Sequence, residues 1–341
     1  MNGYERIKNT LASQATDVPP VMLHNFMPAA REVGISMEEY RNNPSKMAQV
    51  HIDAARKYGL DGILLDVDTC LEAGAIGVPV IFPPDRVAAA EGAASDDIDE
   101  LIEMMSPDKI LANDRIKRYL ESIHIMKQQV GGEIWIRGNC DQMAFSLAML
   151  SYGMQQFMED LLDEDCEDKI LELIDRAYYV HLELHKQVSA AGADMTSFGD
   201  SSCGPDLISR NMFLKYSYPW HQRLKADLEK LNIQTVCHIC GNLDNIVEDV
   251  AGIGYAGVEV DYKTNIANAA KVLKGKSVVF GTIDPTGVFY TGSPEKVEME
   301  TKKTLEYFGG SGIIIGAGCA LSPMTPEDNI KMFVKTVKEY K

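Results

Sequence analysis

The stretch IQTVCHI at residues 233–239 is followed by AGVEVD at 256–261, SVVFGTI at 277–283 and GIIIGAG at 312–318. Each is a short apolar run bounded by turn residues, and longer segments with helical spacing separate them, the pattern of parallel strands joined by crossover helices. Working outward from this block, the same unit recurs at PPVMLH (19–24), GILLDV (62–67), EIWIRG (133–138) and ADMTSFGD (193–200). Eight alternating units without a long linker predict a (β/α)8 barrel, an α/β fold spanning residues 1–341 as a single domain. No phosphate-binding glycine turn follows His24, so an open doubly wound sheet fits less well. The connection VPVIFPPDRVAAAEGAASDDIDELIEMMSPDK, near residues 78–110, is longer than an ordinary barrel loop and reads as a lid or rim insertion.

Composition narrows the function. The 341 residues are 45% hydrophobic with a formal net charge of −17, and the basic residues form no arm or patch, which argues against a nucleic-acid partner. The N-terminal segment MNGYERIKNTLASQ reads as a polar helix without an apolar signal core, and no stretch is long and apolar enough to span a membrane, so a cytoplasmic location is expected. Seven cysteines, scattered from Cys70 to Cys319, suit thiols or metal ligands better than a disulfide framework.

In this fold the chemistry sits at the C-terminal ends of the strands. That filter selects His24, Asp66, Asp68, Asn139, Asp141, Asp200, His238, Cys240, Asp261, Asp284 and Cys319. Within TVCHICGN, His238 and Cys240 lie two apart and project to one side, whereas Cys237 faces the helices. Gly241 and Asn242 permit a sharp turn that leaves the imidazole and thiol at the barrel mouth. Cys319 follows the eighth strand, opposite the fifth, after a glycine-rich stretch that lets backbones approach. One nitrogen and two sulfurs suit zinc, and three protein ligands with a fourth place open is the catalytic arrangement. Cys140 and Cys203, near strand ends, are expected to line the cavity. His51, His124, His181, His185 and His221 fall in helical segments, and the His181/His185 pair reads as a solvated or packed face because it lacks the HExxH pattern.

At TVCHICGN, GDSSCGPDLISRNMF, AGVEVD and GAGCALSPMTPEDN the chain resembles the uroporphyrinogen decarboxylase superfamily, and within it the zinc-dependent methylcobamide:coenzyme M methyltransferases, over nearly its whole length. The resemblance implies zinc held by His238, Cys240 and Cys319, with Glu72 or Asp261 as a fourth ligand, and site carboxylates at Asp200 and Asp261. It implies a methyl group moved from a corrinoid, presented by a separate corrinoid protein, to a zinc-bound thiol such as coenzyme M, and it allows a homodimer. An alternative within the superfamily is a demethylating enzyme that loads methyl from a methoxylated or methylamine-type substrate onto Co(I). Decarboxylation is a further alternative, although VMLHNFMPAA at the first strand lacks the arginine that grips substrate carboxylates in such enzymes. A non-catalytic zinc- or corrinoid-binding protein is the remaining one.

Overall fold

The structure is a computed structural model, and it describes residues 1–340. Eight parallel strands form the barrel: β1 Met22–Leu23, β2 Gly62–Leu65, β3 Trp135–Gln142, β4 Met195–Gly199, β5 Thr235–Ile239, β6 Gly257–Val260, β7 Val278–Ile283 and β8 Ile313–Ala317. All eight apolar runs became strands in the expected order. Strand β1 pairs with β2, and the bridge between Val21 and Ile315, reinforced by the Ile315 amide donating to the Pro20 carbonyl at 2.9 Å, closes the ring.

Side-chain alternation divides the apolar residues into two cores. The larger lies between strands and helices; the smaller, formed by Ile7, Met22, Leu64, Trp135, Met195, Val236, Val278, Phe280 and Ile314, fills the barrel interior. The N-terminal helix Gly3–Leu11, started by a capping box of Asn2 and Glu5, packs Tyr4, Ile7 and Leu11 against this inner core. Its polar reading from sequence therefore holds for one face only.

Above the apolar plug sits the Arg137–Glu259 ion pair, with the guanidinium 5.1 Å from the centre of the Phe280 ring. The expected rim insertion contains a small antiparallel hairpin, Val80–Ile81 with Ala89–Ala90, and the helices Ile98–Met104 and Pro107–Ala112. It supplies Val87 to the wall of the cavity at the barrel mouth. No helix among the described residues is long and apolar enough to cross a membrane.

Candidate metal centre

Three soft donors converge at the mouth. The ligand atoms of His238, Cys240 and Cys319 lie within 4.8 Å of one another, and all three residues are partly exposed. Strand register explains the first two. His238 is paired with Gly199 on β4 and Glu259 on β6, so these three point inward together, while Cys237 is fully buried in the outer core as expected. Gly241 then turns the chain at φ +90°, where a Cβ would strike the Asp206 carboxylate. Gly318 brings Cys319 in from β8 by close backbone approach, since a Cβ there would lie 2.8 Å from the Tyr262 amide nitrogen.

The electrostatics suit a cation. A carbonyl can only accept, so His238 Nδ1 donates to the Glu259 backbone carbonyl at 3.1 Å, which leaves Nε2 facing the Cys240 sulfur at 3.2 Å. The Cys319 thiol donates to the Cys240 sulfur and, against the opposing effect of burial and with help from His238 and Ser201, brings Cys240 down to about 3. The Cys319 thiol, losing this competition, is pushed up. Burial pulls His238 down, but the adjacent Cys240 thiolate outweighs it and raises the imidazole to about 10. An anionic sulfur, a second thiol and an oriented imidazole form a donor set that fits zinc in softness and number.

Beneath the triad lies a cavity of about 190 Å³. Of the residues selected from sequence, His24, Asp66, Asp68, Asn139 and Asp141 line it together with His238, Cys240 and Cys319. His24 Nε2 lies 2.8 Å from Asp66 Oδ2. Asp68 pairs with Arg115 at 2.5 Å, although burial is the larger influence and raises its carboxyl. Asp141 occupies a kink in β3 at φ +59°, where register with β4 shifts between Asn139 and Gln142. Its burial, followed by the nearness of Glu72 and Asp68, pushes the carboxyl well above the usual range.

Other selected residues lie off the cavity. Asp200 is fully buried behind β4, accepting from the Ser146 hydroxyl and amide and from Ser217, with His221 Nε2 at 3.0 Å. Asp261 accepts from the Gly241 amide at 2.9 Å and the Lys263 amide at 3.0 Å, so it braces the turn after β5. Asp284 caps Pro285–Tyr290. Glu72 is fully buried with its Oε2 3.1 Å from His181 Nδ1, and neither it nor Asp261 joins the cluster of metal-donor atoms. Cys140 and Cys203 are fully buried and do not line the cavity; the strand-end position had suggested otherwise. His181 and His185 are packed rather than solvated, their Nε2 atoms 3.0 Å apart.

Sequence reasoning passed over Arg137, Gln142, Ser201 and Glu259, all on the cavity wall. Two of them left a signal: Arg137 and Glu259 are opposite charges inside otherwise apolar strands, an arrangement that is stable only when the two meet.

The family model for uroporphyrinogen decarboxylase (URO-D) matches residues 2–340. The chain belongs to this family. A methylcobamide:CoM methyltransferase, MtaA, from Methanosarcina barkeri is 28% identical over 311 residues, 91% of this chain and 88% of that protein. MtbA of the same description from Methanosarcina mazei is 25% identical over 344 residues, 99% and 98% of the two chains. Among solved structures, a methyltransferase from Methanosarcina mazei superposes with a TM-score of 0.90 at 24% identity, covering 99% of each chain. That likeness bears out the barrel fold expected of the family.

Proposed function

We propose that this chain is a zinc-dependent methyltransferase that moves a methyl group between a protein-bound methylcobamide and a small thiol. The observation that carries the reading is the gathering of one imidazole and two sulfurs at the catalytic end of the barrel, above a cavity they share. Relatives described as methylcobamide:CoM methyltransferases, aligned over nine-tenths of the chain or more, support the reaction class.

His238, Cys240 and Cys319 would hold the ion, and zinc, when bound, would keep an incoming thiol in its nucleophilic thiolate form. The chain's own contribution is positioning. The Glu259 carbonyl fixes the His238 tautomer, Ser201 Oγ stands 3.4 Å from the Cys240 sulfur, and Phe26, Met27, Leu64 and Val87 give the cavity an apolar wall that limits water. In the transfer, a sulfur lone pair forms the S–C bond as the C–Co bond breaks, its electron pair remains on cobalt as Co(I), and the thiol proton leaves to solvent. The cavity falls below the ~300 Å³ at which pockets begin to enclose drug-sized ligands. That size suits a small thiol, and a separate corrinoid protein would bring its methylated face to the mouth.

The test is incubation with methylcobalamin and a panel of small thiols. A thioether formed in step with loss of methylcobalamin is the expected result; none, from protein that retains zinc, would contradict the reading. One observation favours the demethylating alternative: the His24–Asp66 pair on the cavity wall could protonate a leaving oxygen or nitrogen. That alternative predicts methylation of Co(I) cobalamin by a methoxylated or methylamine-type compound.

A further inference from the structure

On the cavity wall the arginine and His24 each face a carboxylate. Among the described residues Arg137 is the one arginine or lysine on the wall; it is paired with Glu259, with its Nε lacking a hydrogen-bond partner, and the two side chains are 4% and 6% exposed. His24 Nε2 lies 2.8 Å from the Asp66 carboxylate. Arg115, adjoining Asp68, is committed to that carboxylate.

The same wall carries Asp66, Asp68, Asp141 and Glu259. Asp141 is 2% exposed; its Oδ2 accepts from the Glu72 amide at 2.8 Å, while its buried Oδ1 has no hydrogen-bond partner. The remaining wall is largely apolar, with Phe26, Met27, Leu64 and Val87 among its residues. A sulfonate or carboxylate tail brought into this space would lose its water, meet an arginine whose charge is already balanced by Glu259, and face several carboxyl groups. A hydroxyl or ammonium tail would meet acceptors instead.

We infer that the small thiol bound beside the triad is uncharged or cationic, and that anionic thiols are selected against. The inference rests on the proposed thiol site and specifies its chemical class. Replacing zinc by cobalt(II) in the full-length protein gives an optical signal for thiolate binding that does not depend on turnover. Titration with 2-mercaptoethanol, 2-aminoethanethiol and 2-mercaptoethanesulfonate, each corrected for its own thiol pKa, should show the sulfonate binding at least about tenfold more weakly than the other two. Glu259→Gln, checked for metal content, should release the Arg137 guanidinium and narrow that gap at least about threefold. Equal or tighter binding of the sulfonate by the parent protein would overturn the inference, as would failure of all three thiols to bind. Binding in the expected order without methylation of any thiol by methylcobalamin would support the charge preference and overturn the thiol-acceptor reading.

Discussion

Among the described residues, two clusters bring three metal-capable donors within the same 4.8 Å: His238, Cys240 and Cys319 at the mouth, and Asp200, Cys203 and His221 behind β4. They differ in what surrounds them. In the buried cluster every donor is committed: Asp200 to Ser146, Ser217 and His221, His221 Nδ1 to the Tyr255 hydroxyl at 3.0 Å, and the Cys203 thiol to the Asp200 carbonyl at 3.3 Å. In the mouth cluster the donors chiefly face one another, and they border a cavity. Proximity of ligand atoms is thus insufficient; a site also needs lone pairs not spent on structure and a path for the ligand.

Replacing Cys319 by Ala should have the largest effect on this contrast, lowering methyl transfer at least about 100-fold (about 2.7 kcal/mol of activation barrier) while leaving the fold intact. The counterpart, Asp200→Ala, should cost stability instead. It strands Ser146, Ser217 and His221 in a dry interior, and a loss of about 3 kcal/mol in denaturant midpoint analysis is expected. Retained stability in that variant would mean the buried cluster is not structural.

The strands were legible because a closed parallel barrel imposes apolar runs of strand length, and parity along IQTVCHI separated His238 and Cys240 from Cys237. Parity had a further use that the strand-end filter ignored. Gly199 shares the inward face with His238, which turns Asp200 outward to the helices. Asp261 and Asp284 could not be placed in this way. Each lies past its strand, where the turn sets the direction of the side chain, and each satisfies backbone amides there. Glu72 was read on resemblance alone, and its burial against His181 depends on packing of helix Glu167–Ala191 that no local pattern encodes.

The comparison extends to acid. Burial holds His181 down at about 3, so the folded protein keeps this histidine neutral while the unfolded chain binds a proton near the ordinary 6.5. The unfolded state therefore gains protons first, and stability should fall as pH drops from 6.5 toward 3, by up to about 1.4 kcal/mol per unit for this group. Urea unfolding across that range, with His181→Gln as the control, checks the slope; an unchanged slope in the variant would assign the acid sensitivity elsewhere. The smallest effect is expected from Ser201→Ala, which removes one weak contact to the Cys240 sulfur and should change methyl transfer by less than about threefold, since the Cys319 and His238 contacts remain.

Zinc held at the barrel mouth is measured by elemental mass spectrometry of purified protein after dialysis without chelator, in the parent and in His238→Ala, Cys319→Ala and Asp200→Ala. About one zinc per chain is expected in the parent, with loss in the first two variants and retention in the third. Zinc that is absent from the parent, survives both mouth substitutions, or disappears with Asp200 alone would contradict zinc binding at the mouth.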